Sequence, residues 1–224
     1  MTITYYGHAT FKLRGKLGTV VMDPFSATVG MPLPTLSGDI VTVSHDHADH
    51  NASSLVTGTA RTKQPFVIAT AGEYEVGGIS VFGTQLYHDN VKGAERGTSI
   101  AYTILIDHLR VCHLGDLGHE LTAEDAENIG NVDVLLCPVG GMSTVDAAQA
   151  VRVIRSLEPS IVIPMHYRTG AHTNEMFTEL KPLEDFIREY GSDATPVKKY
   201  DIERATLPEE TELVVLEPQL NDRS

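Results

Sequence analysis

His45, Asp46, His47, Asp49 and His50 fall within six residues of one another. Imidazole and carboxylate at this density are the chemistry of a metal site, with zinc the best match and manganese or iron behind it. The stretch is Thr42-Val43-Ser44-His45-Asp46-His47-Ala48-Asp49-His50-Asn51. It follows Ile40-Val41-Thr42-Val43, a β-branched run that reads as a buried strand. His45 and His47 are two apart, so a chain leaving the strand still extended points both rings the same way. Asp49 and His50 are neighbours whose side chains diverge, which suits a second ion better than the first. Paired ions in hydrolytic sites lie about 3.5–4 Å apart. The bland alternative is a polar loop that happens to be rich in histidine. The order H-x-H-x-D-H directly after a buried strand argues against it.

The elements that must position this stretch read as follows. Ile3–Tyr6, Thr10–Leu13 and Thr19–Met22 are short strands, the last ended by Asp23-Pro24 because proline supplies no N–H to a ladder. Phe25–Leu36 reads as a loop, and Asn51 is placed to cap a short helix over Ala52–Val56. Gly77-Gly78 is hairpin turn chemistry between Tyr74–Val76 and Ile79–Phe82. Leu86-Tyr87-His88-Asp89 ends a strand, and Ser99–Ile106 with Leu109–Cys112 forms a second hairpin about Asp107-His108. Thereafter strands alternate with helices. Thr122 and Asp125 form a capping box, with Gly130 at the helix end. Val132–Val139 and Ser160–Pro164 are strands. Thr144 is placed to cap a helix through Leu157, Pro182 opens one that stops at Gly191, and Glu212–Leu216 is a last strand. Early strands and later βαβ units indicate a layered α/β architecture.

Tyr6-Gly7-His8-Ala9-Thr10-Phe11, Val21-Met22-Asp23-Pro24-Phe25, His113-Leu114-Gly115-Asp116 and Ile163-Pro164-Met165-His166-Tyr167 accompany the histidine cluster. In that order, over nearly the whole chain, they resemble the metallo-β-lactamase superfamily. The branch they resemble includes ascorbate-6-phosphate lactonase-like proteins and other metal-dependent hydrolases. The resemblance implies a four-layer αββα sandwich with metals at one edge, formed by residues 1–224 as one domain. It implies that His45, His47 and His88 hold one ion, that Asp49, His50 and His166 hold the other, and that Asp116 bridges them. Asp49 and Asp116 are then the catalytic carboxylates. The activity implied is attack of a metal-bridged hydroxide on an ester, lactone or phosphodiester bond of a small substrate.

Each of these positions has a plainer reading. His88 is also a polar residue starting a loop, and His113 rivals it as third ligand, with a supporting role behind the metals as the expectation. Asp116, between two glycines, suits a turn. His166, on an apolar run, suits a satisfied core. His8 reads as a supporting residue or as core, Asp23 as a carboxylate that orients a metal-bound histidine, and His119 as a pocket residue or a polar lead into the next helix. Tyr167 reads as packing, and Gly140-Gly141 as a tight turn.

Composition bounds the partners. Seventeen Lys and Arg against thirty Asp and Glu give a formal charge of −13. This weighs against general nucleic-acid or anionic-membrane binding, and hence against the rival reading of an RNA- or DNA-processing nuclease. A small anionic substrate stays admissible because bound ions invert the local field. Cys112 and Cys137 stand alone in apolar runs, as reduced core residues do. No apolar run is long enough to span a membrane. No signal peptide is read at the start, so the expected compartment is the cytoplasm. A homo-oligomer is compatible with the chain. A non-catalytic metal-binding protein is the remaining rival, with no positive sign in the sequence. The chain is shorter than the lactonases and shows no long insertion to serve as a lid, so their specificity is not carried over.

Overall fold

In the computed structural model, which describes residues 1–220, the first part of the chain is made of short strands, with 3₁₀ turns at Ala27–Val29 and Ser53–Leu55 between them. It comprises β1 (Thr2–Gly7), β2 (Thr10–Arg14), β3 (Thr19–Met22), β4 (Leu36–Ser37), β5 (Ile40–Thr42), β6 (Val56–Thr57) and β7 (Phe66–Ile68). Two hairpins follow, β8 (Gly72–Val76) with β9 (Ile79–Tyr87), and β10 (Thr98–Ile106) with β11 (Leu109–His113). The last part alternates α1 (Ala123–Ile129), β12 (Val134–Pro138), α2 (Ala147–Leu157), β13 (Ile161–Met165) and α3 (Leu183–Tyr190), before β14 (Tyr200–Asp201) and β15 (Glu212–Leu213).

The strands build two mixed sheets, ordered β14-β1-β2-β3-β5-β7 and β15-β13-β12-β11-β10-β9-β8. Their facing side chains form one core. Tyr5, Phe11 and Met22 from the first sheet pack with Tyr102, Ile104 and Val111 from the second. β12 and β13 are buried along their whole length, as parallel strands covered on both faces must be. The amphipathic helix α2 supplies part of that cover through Val151, Ile154 and Leu157. The outer face of the first sheet is covered differently. Val21 and Val41 there pack on Leu36 and Val56 of the small β4–β6 pair. No helix among the described residues is long and apolar enough to cross a membrane.

Turn chemistry accounts for the hairpins. Gly77 and Gly78 take φ of 61° and 84°, the left-handed pair a two-residue turn needs. Asp107 and His108 take 50° and 65° without glycine, a conformation Asp and His accept better than most residues. The capping box on α1 closes with Thr122 and Asp125. Two expected caps are elsewhere. α2 starts one residue after Asp146, whose carboxylate pairs with Gln149, while the Thr144 hydroxyl donates to Gly141 O. Asp competes well with Thr for this position, and a Gln three residues on completes the box. The helix after Asn51 is a single 3₁₀ turn, Ser53–Leu55, with no side-chain cap, because its N-cap residue is Ala52; Asn51 lies one residue outside and donates its Nδ2–H to Asp46 Oδ1. Pro182 occupies the cap position just before α3.

The pairing puts every site segment on one edge. β1, β3 and β5 run in one direction in the first sheet, as do β9, β11 and β13 in the second. The segments bearing His8, Asp23, His45–His50, His88, Asp116 and His166 each follow the C-terminal end of one of these strands. Backbone bonds tie the two edges together: His166 N–H donates to His8 O at 2.7 Å, and Ile100 N–H to Ser44 O at 2.9 Å.

Candidate metal centre

The chain leaving β5 is held from its first residue. Ser44 N–H donates to Asp23 Oδ1 at 2.8 Å, and the Ser44 hydroxyl donates to Oδ2 of the same carboxylate. His45 Nδ1–H donates to Ser44 Oγ at 2.9 Å, which turns its Nε2 away from the strand. The backbone then coils, with His50 and Asn51 N–H groups donating to His47 O at 2.9 and 3.0 Å. This single turn carries His50 back under the loop. There His50 Nδ1–H donates to Asp23 Oδ2 at 2.8 Å, so its Nε2 also points inward. Asp23 therefore orients two histidines at once. A carboxylate behind a metal-binding imidazole works in this way.

Asp23, His45 and His50 form one close group, the hydrogen-bonded set just described, and two further groups of donors lie beside it. His45, His47 and His88 offer ligand atoms within 4.8 Å of one another, and so do His8, Asp49, His50 and His166. Asp116 lies between them. Its Oδ2 is 3.4 Å from His88 Nε2 and 3.8 Å from His45 Nε2. Its Oδ1 is 3.3 Å from His50 Nε2 and 3.4 Å from His166 Nε2. His8 belongs with the second group through Asp49, to whose Oδ2 its Nε2–H donates at 3.1 Å.

The residues fit a bound cation. His50 Nε2, His166 Nε2 and Asp116 Oδ1 are buried and make no hydrogen bond, although they face one another. Buried polar atoms are ordinarily satisfied, and one positive ion with open coordination would satisfy all three. Charge tells the same story. Burial opposes ionisation of Asp116, yet His166 and His50 beside it hold its carboxyl well below the ordinary value. Burial also opposes a charged His50, and Asp116 and Asp23 override it and raise its pKa. Burial lowers His45 to about 3 and His166 to about 4, so both are neutral donors at pH 7.

Backbone strain marks the same edge. His8, Asp23 and His166 take φ of 52°, 43° and 54°. Left-handed non-glycine residues are uncommon and gather where a site needs a particular side-chain direction. Two glycines admit the strand ends bearing His88 and His166. A Cβ on Gly118 would lie 2.3 Å from His88 C, and one on Gly140 would lie 2.1 Å from His166 O. Gly140 is thus a close-approach position as well as part of a turn.

Two histidines of the sequence reading lie outside the cluster. His113 Nε2–H donates to Ala9 O at 2.8 Å, and its Nδ1 accepts from Gly115 N–H at 3.0 Å. Both ring nitrogens are used on backbone, so it braces the two sheets and the turn before Asp116 rather than backing a ligand. His119 accepts from Tyr87 N–H at 3.2 Å and donates to Glu120 O at 2.9 Å, a half-buried brace for the strand end before His88. Sequence reasoning did not single out His172, whose ring lies 5.9 Å from that of His8, or Phe177, 5.0 Å from it. Both belong to the irregular stretch after β13, where no periodicity signals position. Over the site lies a cavity of about 420 Å³ whose floor includes His47, His88, Asp116 and His166.

Residues 2–166 match the model of the β-lactamase superfamily domain. The chain belongs to the metallo-β-lactamase superfamily. It is 33% identical over 194 residues to a UPF0173 metal-dependent hydrolase of Thermoplasma volcanium, covering 75% of this chain and 83% of that one. Among solved structures it is similar to a proposed zinc-dependent hydrolase of this superfamily from Thermotoga maritima. The TM-score is 0.77 at 34% identity, with 96% and 97% of the two chains covered. A metallo hydrolase of Ignicoccus hospitalis shares the fold at 21% identity, TM-score 0.66, with 97% and 95% covered.

Proposed function

We propose that this superfamily member is a metal-dependent hydrolase with a two-ion centre, zinc the first choice and manganese or iron the alternatives. It would act in the cytoplasm on an ester, lactone or phosphodiester bond of a small substrate. The observation that carries this reading is Asp116, whose two oxygens face two separate donor groups. The relatives named as metal-dependent hydrolases support it.

In this reading His45, His47 and His88 would hold one ion, Asp49, His50 and His166 would hold the other, and Asp116, which faces both groups, would serve both. Two such ions, when bound, polarise the scissile group and bring a water near its deprotonated form at neutral pH. The chain's own part is positional. Asp23 fixes the rings of His50 and, through Ser44, of His45, while His8 fixes Asp49. The cavity walls would hold the substrate across the floor. The test is a screen of the metal-loaded protein against esters, lactones, phosphodiesters and thioesters, with Asp116→Asn as the control. Hydrolysis of one class, lost in the control, is expected. A fully metal-loaded protein inert toward all four classes would favour the metal-binding reading without catalysis.

A further inference from the structure

The cavity above the donor cluster has one cationic side chain in its wall, Arg96. Arg152 and Arg204 pair with carboxylates, and Arg110 and Arg168 donate to backbone carbonyls. No hydrogen bond or ion pair to the Arg96 guanidinium is found among the described residues. Its main chain, by contrast, is tightly fixed. The buried carboxylate of Asp89 accepts from the N–H groups of Val91 and Gly93 at 2.9 and 2.7 Å. It also accepts from those of Glu95 and Arg96 at 3.0 and 2.8 Å. His88 N–H closes the base of the loop on Gly97 O at 3.1 Å. The loop thus begins at a donor of the first group and carries an unpaired guanidinium to the cavity wall.

Apolar side chains line the same cavity. Met142 is 40% exposed and Met176 65% exposed, with Phe177 buried beneath. Met142 takes φ of 66°, so a strained backbone holds a thioether toward solvent. The stretch bearing Met176 and Phe177 is fastened across the cavity mouth by Asn174 Nδ2–H to Thr28 O at 2.6 Å and by Thr173 Oγ–H to Gly30 O at 2.7 Å. Exposed methionine suits contact with flexible apolar ligands.

We propose that Arg96 binds a carboxylate carried by the substrate away from the bond that breaks, and that Met142, Met176 and Phe177 receive an apolar segment of the same molecule. This rests on the hydrolase reading and narrows its substrate to acyl compounds bearing a remote monoanion. A lone guanidinium offsets one negative charge. Asp46 and Asp49 also line the cavity and disfavour a more highly charged group.

The test is calorimetric binding, which needs no turnover. The probes are 6-acetamidohexanoate, its uncharged N-methylamide, and acetamidoacetate, each titrated into wild type, Arg96→Gln and Met176→Ser. Wild type should bind the hexanoate roughly tenfold or more tightly than the amide, a charge-assisted preference. Arg96→Gln should abolish that preference while still binding the amide as before. Met176→Ser should weaken the hexanoate and leave acetamidoacetate unchanged. An equal preference in wild type and Arg96→Gln would place the carboxylate elsewhere and overturn the proposal, and so would absence of any preference in wild type. A protein that shows the Arg96-dependent preference yet hydrolyses nothing would count against the hydrolase reading alone.

Discussion

The two donor groups are built to different standards. His8, His50 and His166 are fully buried, with Asp49 half-buried beside them. His8 and His166 are set by left-handed backbone at strand ends, and His50 by Asp23. The other group is nearer the surface. In it His47 is exposed and His45 half-buried, while His88 is buried, and the nitrogens His45 Nε2 and His47 Nδ1 face each other at 2.9 Å. The contrast shows where preorganisation is spent. The inner group is a rigid seat whose unsatisfied atoms call for a cation. The outer group is part seat and part rim, open to the cavity in which a substrate would lie. In the two-ion reading, the inner ion should be held more tightly and the outer ion should exchange first.

The largest effect should come from removing what the groups share. Asp116→Asn keeps the shape and takes away the charge that faces both groups. Metal content by elemental analysis should fall by one equivalent or more. Hydrolysis of whichever substrate the screen identifies should drop on the order of a hundredfold or more, with the fold intact by circular dichroism. A silent Asp116→Asn would reduce Asp116 to a turn residue and leave two unrelated groups.

The comparison sharpens with Asp23→Asn. Its carboxylate backs His50 directly and His45 only through Ser44. Inner-ion affinity should therefore weaken by about 10–100-fold, the usual consequence of losing a carboxylate behind a ligand. Outer-ion affinity should change less. Equal weakening of both ions, measured by competition with a chelator, would contradict the assigned difference in rigidity.

Much of this was legible in the residues. The strand before His45, both hairpins and the α1 capping box follow from local rules of turn, cap and alternation. The division of His45 and His47 from Asp49 and His50 came from side-chain direction along the chain. What local rules could not supply is the fate of a lone histidine. His88, His113 and His166 all follow apolar runs, yet only the packing of the two sheets turns His113 to backbone partners. His8 was undecidable for the same reason, since Asp49 meets it from a loop forty-one positions away. Helix starts failed where two good caps lay close together, as with Thr144 and Asp146.

His113→Ala gives the smallest expected change and serves as the contrast to Asp23→Asn. It should leave metal content unaltered, because both ring nitrogens serve backbone groups. Stability should fall by about 1–3 kcal/mol in a urea titration, the cost of leaving buried partners unpaired. Loss of an ion from this variant would move His113 into the centre.

The most direct test of the two-group account is the metal stoichiometry of wild type beside His47→Ala, by elemental analysis after reconstitution and desalting. The account predicts close to two equivalents of zinc, manganese or iron per chain in wild type, and close to one in His47→Ala, the survivor being the inner ion. A wild type that takes up no metal, or the same number of ions in both proteins, would contradict it.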